Sequence, residues 1–195
     1  MHFFDKSWTL FLDRDGVINE RIPGDYVKDW DKFDFIPGSI KAIERFADIF
    51  GIIVVVTNQA GIGKGLMTEE QLHEVHKQML KTVRLLDGRI DKVYYAPDIS
   101  AHPSTLRKPN VGMALQAQSD FPEIDFARSI IVGDSNSDME FGHNLGMIKV
   151  FIEGKGDDPI NAGSVFEPHY RFKNLSDFSK HILQNNALSV WLITF

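Results

Sequence analysis

The chain has 195 residues, 43% of them hydrophobic and 25% charged, which is typical of a globular protein with one domain or at most two. It contains no cysteine, which excludes disulfides, thiolate-bound metal centres and a cysteine nucleophile. The formal charge of −6 argues against a nucleic-acid partner, because such binding depends largely on Lys and Arg contacts to phosphate. No apolar run approaches about 18 residues and the first residues lack a signal-peptide pattern, so we expect a cytoplasmic protein with no membrane partner.

Five short apolar runs are each typical of a buried strand, and they lie at 8–12, 52–56, 92–96, 129–132 and 148–152. Helical patterns separate them. Ser39 can cap the first helix, the capping-box sequence from Thr68 to Gln71 opens a long helix that Gly88 ends, and shorter helices follow at 111–119 and 137–146. This alternation predicts an α/β fold, a doubly wound parallel sheet with helices on both faces.

The last ten residues, 186–195, are apolar and almost uncharged. This pattern predicts a final strand or a tail that docks on another subunit. We expect the segment to be buried, because an exposed strand of this kind would risk aggregation.

Polar clusters follow three of the predicted strands, at Asp13, Thr57 and Asp134. A parallel sheet brings such positions together at the carboxyl edge, where ligands bind. In the first cluster, Asp13 and Asp15 are two residues apart, so their like charges invite a cation or a shared proton. One carboxylate could attack a phosphorus atom while the other moves a proton. The alternative is a solvated Asp-Gly turn.

The second and third clusters offer phosphate ligands. Thr57, Asn58 and Gln59 carry a hydroxyl and two amides that could donate to phosphate oxygens, although a plain exit from a strand would look the same. Arg107 and Lys108 place cations before a proline-fixed helix start, where they could neutralise a phosphoryl group or form a solvated charge pair.

The fourth cluster holds Asp134 at a strand tip and Asp138 in the first turn of the next helix, where an acid also serves as a cap. All four clusters occur at a predicted strand end or just before a helix. Together, four carboxylates, one lysine and one threonine indicate a magnesium site with phosphoryl recognition.

These motifs resemble those of the haloacid dehalogenase superfamily of phosphatases, and the resemblance covers about residues 8–152. Within the superfamily the pattern is most similar to the heptose-1,7-bisphosphate phosphatases and their relatives, the histidinol-phosphate phosphatases. The resemblance implies one hydrolase domain over residues 1–195, with core motifs at 8–152 and a C-terminal extension at 153–195.

The resemblance also implies a role for each matching residue. Asp13 would be the nucleophile that forms an aspartyl-phosphate, and Asp15 the general acid and then the base. The phosphoryl oxygens would be held by Thr57 and Lys108. Magnesium would be bound by carboxylates and one backbone carbonyl, from Asp13, Asp15, Asp134 and Asp138. Substrate contacts would come from Asn58, Gln59 and Arg107.

Relatives in these families usually carry a small cysteine-ligated zinc loop before the Arg-Lys-Pro segment. Here the corresponding stretch, 96–106, has no cysteine and one histidine, His102, so we expect no zinc. The intervals between motifs leave no room for a separate cap domain, so the loops at 19–34 and 60–67 should cover the site. Arg21 and Tyr26 of the first loop could grip a polar substrate or belong to an ordered surface loop.

Two further patterns are interpreted as having no catalytic or metal-binding role. The stretch from Gly61 to Gly65 departs from a P-loop and predicts a loop with the basic tip Lys64. His73 and His76 lie three apart on a helix with no evident third ligand, which favours a solvated helix face over a metal site.

The sequence therefore predicts a magnesium-dependent phosphomonoesterase acting on a small phosphorylated metabolite, as a monomer or small homo-oligomer. The preferred substrate is heptose 1,7-bisphosphate, with histidinol phosphate as the alternative. A polynucleotide 3′-phosphatase shares the motifs, but the net charge counts against it. A non-catalytic scaffold protein is disfavoured by the presence of Asp13, Asp15, Lys108 and Asp134 together.

Overall fold

The residues described by the computed structural model, 3–99, 104–153 and 165–193, contain one sheet of six parallel strands. The strands are β1 (Thr9–Leu12), β2 (Ile52–Asn58), β3 (Lys92–Ala96), β4 (Ser129–Gly133), β5 (Ile148–Ile152) and β6 (Tyr170–Phe172). Their spatial order is β3-β2-β1-β4-β5-β6, so the winding direction reverses between β1 and β4. Leu12 lies opposite both Val55 and Val132, which keeps the carboxyl ends of β1, β2 and β4 level.

Helices cover both faces of this sheet, as predicted. They are α1 (Ser39–Ile49), α2 (Ala60–Gly63), α3 (Glu69–Leu85), α4 (Gly112–Asp120), α5 (Asn136–Asn144) and α6 (Leu175–Ile193). Short 3-10 turns lie at Trp30–Lys32 and Phe126–Arg128. Among these described helices, none combines the length and the apolar character needed to span a bilayer.

Alternation along the buried strands explains the two helical layers. In β1, Leu10 and Leu12 belong to a core that includes Phe46 of α1, whereas Phe11 belongs to a second core with Phe141 of α5. The first core lies under α1, α3 and α6, and the second under α4 and α5. Within the described residues, no separate cap domain lies over the carboxyl edge.

The predicted cap of α1 is wrong, whereas that of α3 is confirmed. Gly38, with φ of 84°, occupies the N-cap of α1, and Ser39 is already helical and buried. In α3, Thr68 accepts from the backbone of Gln71 and the Gln71 side chain accepts from the backbone of Thr68. The capping box therefore forms as the sequence predicts.

The C-terminal region differs from the prediction of a final strand at 186–195. Helix α6 continues to Ile193, and the sixth strand is instead the short β6, which the sequence analysis did not identify. An apolar run suits a strand and a helix equally. The buried Leu175, Phe178 and Ile182 pack α6 on the same core as α1, with the Phe46 and Phe178 rings 5.5 Å apart.

Candidate active site

Three carboxylates meet at the carboxyl edge where the winding of the sheet reverses. Asp13 follows β1, Asp134 follows the neighbouring β4, and Asp138 lies in the first turn of α5. One oxygen of each carboxylate lies within 4.8 Å of the others, and all three residues are buried. We call this group the carboxylate cluster. It brings together acids that the sequence predicted to share a site.

Lys108 is the buried cation of the carboxylate cluster. Its Nζ lies 2.7 Å from Asp13 Oδ1 and 2.6 Å from Asp138 Oδ1, and it donates to the Val56 carbonyl at 2.7 Å. The Asn58 side chain holds the Lys108 backbone by accepting from its N–H at 2.9 Å and donating to its carbonyl at 3.1 Å. The amide of Asn58 thus fixes the position of Lys108.

Burial dominates the electrostatics of the carboxylate cluster. It raises the pKa of Asp134 to about 8 and that of Asp13 to about 6, and neighbouring carboxylates add to both shifts. Burial would lower the pKa of Lys108, but Asp13 and Asp138 outweigh it and the pKa is raised. Lys108 therefore stays charged, and the carboxylates still lack enough positive charge around them.

Arg21 supplies part of that missing charge. Its Nη2 donates to Asp134 Oδ1 at 2.6 Å, and its Nε donates to the backbone carbonyl of Asp15 at 3.0 Å. The sequence suggested only that Arg21 could grip a substrate. The structure places its guanidinium against two of the predicted metal ligands.

The donor atoms of the carboxylate cluster fit a hard divalent cation. Asp134 Oδ2 is buried and has no hydrogen-bond partner. It points into space that exists only because residue 16 is glycine, with φ of 92°, since a Cβ there would overlap this oxygen. Carboxylate and carbonyl oxygens around an open cradle are the donor set that Mg²⁺ prefers.

Asp15 has quite different neighbours. Arg14 Nη2 donates to both of its carboxylate oxygens at 2.9 Å, Asn19 donates to Oδ1 at 2.9 Å, and Gln59 donates to Oδ2 at 2.8 Å. Burial by itself would raise the pKa of Asp15, but Arg14 and these hydrogen bonds outweigh it and lower the pKa. Asp15 is therefore held as a carboxylate.

Behind Asp15 lies a buried pair that the sequence analysis missed. Arg14 is fully buried, and its Nη1 lies 2.9 Å from Nε2 of the buried His76. Burial, followed by the charge of Arg14, lowers the pKa of His76 to about 3, so the ring is neutral and accepts from Arg14. The prediction of a solvated face is wrong for His76; it holds for the exposed His73, which contacts the Tyr95 hydroxyl. The signal was available, because position 76 lies within the apolar stripe of α3.

Thr57 and Gln59 form the link between the cluster and Asp15. Thr57 lines the cleft, and its Oγ1 accepts from Gln59 Nε2 at 2.8 Å. Gln59 is completely buried and lies behind Asp15, outside the residues that line the cleft. Through these hydrogen bonds, Gln59 orients the side chains of Asp15 and Thr57.

A cleft of about 1300 Å³ opens above the carboxylate cluster. Its outer walls include side chains from both predicted covering loops and from two other segments: Arg21, Tyr26, Lys64, Leu66, Arg107 and Lys173. The Lys64 ammonium lies 5.5 Å from the centre of the Tyr26 ring, which joins the two loops. Residues 60–63 of the second loop form the single turn α2.

The stretch that replaces the zinc loop is held in part by hydrogen bonds. Ser104 donates to Asp98 Oδ2 at 2.5 Å, and Arg107 donates to the Asp98 carbonyl at 3.2 Å. His102 and the rest of 100–103 lie outside the described residues.

The fold and the carboxylate cluster define a phosphatase of the haloacid dehalogenase superfamily. The family model described as polynucleotide kinase 3 phosphatase matches residues 2–179. The chain is 38% identical over 139 residues to D-glycero-alpha-D-manno-heptose-1,7-bisphosphate 7-phosphatase from Mycobacterium tuberculosis, covering 71% of this chain and 73% of the relative. It is 33% identical over 181 residues to D-glycero-beta-D-manno-heptose-1,7-bisphosphate 7-phosphatase from Neisseria meningitidis, covering 91% and 96%.

A solved structure is similar over almost the whole chain. The D,D-heptose 1,7-bisphosphate phosphatase of B. bronchiseptica, complexed with magnesium and phosphate, superposes with a TM-score of 0.78 at 26% identity. The alignment covers 91% of this chain and 99% of that one. The chain belongs to the family that the polynucleotide kinase 3 phosphatase model describes, and it is similar to these heptose bisphosphate phosphatases. The predicted class of enzyme is confirmed.

Proposed function

We propose that this phosphatase removes the 7-phosphate from D-glycero-D-manno-heptose 1,7-bisphosphate in a magnesium-dependent reaction. The observation that carries the reaction is the buried carboxylate cluster with Lys108 at the floor of an open cleft. The names of the relatives support the substrate. Relatives named for the alpha and for the beta anomer are both similar, so the anomer is left to experiment.

In the proposed mechanism, a carboxylate oxygen of Asp13 attacks the phosphorus atom. The bond from phosphorus to the sugar oxygen breaks, and Asp15 gives a proton to that oxygen. Water then attacks the aspartyl-phosphate, Asp15 takes up the proton from the water, and Asp13 and inorganic phosphate are released. Thr57 and Lys108 hold the phosphoryl oxygens throughout, since phosphoryl transfer depends on positioning and charge neutralisation.

The cation would be held at the carboxylate cluster. We assign its ligands to Asp13, Asp134 and the backbone carbonyl of Asp15, with Asp138 in support. Bound Mg²⁺ supplies charge neutralisation for the phosphoryl group.

The contacts of Asp15 bear on its two steps. As a carboxylate clamped by Arg14, it is in the protonation state that activates water. For the earlier step Asp15 must carry a proton. Because the contact with Arg14 lowers the pKa of Asp15, that contact controls how much of the protonated form is present.

We propose different duties for the three predicted substrate contacts. Arg107 lines the cleft and contacts substrate. Asn58 also borders the cleft, but its amide braces Lys108, and Gln59 orients Asp15 and Thr57 from behind. The last two are positioning residues.

The substrate is tested by kcat/KM values for both anomers of the heptose bisphosphate, histidinol phosphate, other sugar phosphates and a 3′-phosphorylated oligonucleotide. The oligonucleotide is included because the family model is named for such an activity. We expect a heptose bisphosphate to give the highest value. Preference for histidinol phosphate or the oligonucleotide would overturn the substrate assignment.

The metal is tested by removing it. Treatment with EDTA should abolish hydrolysis, and added Mg²⁺ should restore it. Activity that returns with Zn²⁺ and not with Mg²⁺ would contradict the proposal. Metal analysis of the purified protein should find no stoichiometric zinc, because the cysteines that would hold a zinc loop are absent.

We also propose that residues 1–195 act as one domain in the cytoplasm, as a monomer or small homo-oligomer. The C-terminal extension supports one domain, since β6 pairs with β5 and α6 packs against α1. Light scattering during size-exclusion chromatography measures the oligomeric state, and cell fractionation tests the location.

A further inference from the structure

We propose that Arg21 is an internal counter-ion that competes with the divalent cation for the carboxylate cluster. The inference rests on the proposed cation site. It concerns a residue outside the motifs that carry the family resemblance, on the loop that follows β1.

The geometry of Arg21 is that of a competitor. Its Nη2 donates to Asp134 Oδ1 at 2.6 Å, and its Nε donates to the Asp15 carbonyl at 3.0 Å. Both acceptors are proposed ligands of the cation. A planar guanidinium presents N–H groups in parallel, so one side chain bridges the ends of β1 and β4.

Charge favours this arrangement. The carboxylate cluster holds three acids, and Lys108 pairs with two of them, Asp13 and Asp138. Asp134 is the remaining acid, with its side chain only 1% exposed. A buried carboxylate without a cation is costly, and Arg21 offsets part of that cost for Asp134.

Arg21 can also leave. Its side chain is 44% exposed, whereas Lys108, the other cation of the cluster, is 2% exposed. Arg21 lines the cleft, so its guanidinium can turn into water while its backbone stays in place. Arg21 contacts Asp134 through Oδ1 and leaves Oδ2 without a partner. A divalent cation that binds Oδ2 and the Asp15 carbonyl therefore meets the positive charge of Arg21 unless Arg21 turns away, and either the repulsion or the lost contacts weaken the observed affinity for the cation.

The test is direct binding of Mn²⁺, followed by the electron paramagnetic resonance signal of the free ion, with no substrate present. Charge-assisted hydrogen bonds of this kind are strong enough to change affinity by about tenfold or more. We expect Arg21→Ala to bind Mn²⁺ about tenfold more tightly than the unaltered protein. Arg21→Lys keeps the positive charge but lacks the planar guanidinium, so its affinity for Mn²⁺ should lie between those of Arg21→Ala and the unaltered protein. Circular dichroism checks that each variant is folded.

Lys28→Ala is the matched control. It removes the same charge from the same loop, but Lys28 pairs at 2.7 Å with the exposed Asp25. We expect its affinity for Mn²⁺ to stay within about twofold of the unaltered protein, because exposed charges are screened. An equal gain in Arg21→Ala and Lys28→Ala would overturn the inference, since it would show a general effect of charge.

The outcomes separate this inference from the proposed function. If the unaltered protein binds Mn²⁺ and Arg21→Ala binds it equally or more weakly, Arg21 does not compete, while the proposed function stands. If the unaltered protein binds neither Mn²⁺ nor Mg²⁺, the proposed metal site fails and the inference fails with it.

Discussion

Asp13 and Asp15 are two residues apart in one turn, yet they lie in opposite electrostatic surroundings. Asp13 faces Lys108 and two further acids, and its pKa is raised to about 6, mainly by burial. Asp15 faces Arg14, Asn19 and Gln59, which lower its pKa. The comparison shows that the neighbours of a carboxylate, and not its place in a motif, decide its protonation and hence the chemistry open to it.

The two sides also differ in how they are built. The Asp13 side is assembled from strand ends and offers oxygen ligands to a cation. The Asp15 side is a hydrogen-bonded network that reaches through Arg14 to His76 on α3. We therefore expect substitutions on the first side to affect chemistry most, and substitutions behind Asp15 to affect stability as well.

The largest expected effect is the loss of kcat when Asp13 and Asp15 are substituted one at a time. Asp13→Asn should lower kcat by roughly a thousandfold or more, because the nucleophile is lost. Asp15→Asn should lower kcat by roughly a hundredfold or more, because proton transfer is lost while the nucleophile remains. Steady-state kinetics measure both, with circular dichroism to show that the fold is retained. Full activity of Asp13→Asn would contradict the mechanism.

Substitution of Arg14 tests the network behind Asp15. Arg14→Met should lower the free energy of unfolding by about 3 kcal/mol, because it removes the cation that pairs with a largely buried carboxylate. Urea denaturation measures the loss. The control Lys77→Met breaks an exposed pair with Glu74 on α3 and should cost less than about 1 kcal/mol. Equal losses in the two variants would show that the Arg14 network contributes no special stability.

The smallest expected effect concerns pH. His76 has a pKa of about 3 in the folded protein, against about 6.5 in the unfolded chain, so only the unfolded chain takes up a proton between these values. This contribution to stability is complete above pH 6.5 and is lost as pH falls. Between pH 6.5 and pH 5 the loss should be about 2 kcal/mol.

His76→Gln keeps a hydrogen-bond acceptor for Arg14 and cannot take up a proton. The difference in stability between pH 7 and pH 5 should therefore be about 2 kcal/mol smaller in this variant, measured by urea denaturation at each pH. His73→Gln, on the same helix but exposed, should behave like the unaltered protein. A pH dependence that His76→Gln leaves unchanged would show that the folded protein does not keep His76 neutral.

Much of the fold was predictable from local patterns. The runs at 92–96 and 148–152 coincide with β3 and β5, and the other three predicted strands differ at their ends by one or two residues. Buried parallel strands are continuous apolar runs, so composition alone marks them. The short β6, whose residues are not buried, is not such an apolar run, and the terminal apolar run is helical as far as Ile193.

The candidate site also has features that the sequence predicts and features that it does not. By itself, the sequence determined which acids gather at the sheet edge, because Asp13 and Asp134 follow apolar runs and parallel strands align their ends. Only the tertiary structure decided what each acid faces. The contact of Arg21 with Asp134 spans 113 positions, and that of Arg14 with His76 spans 62. Local periodicity carries no information about such pairs, since they depend on how loops and helices pack against the finished sheet.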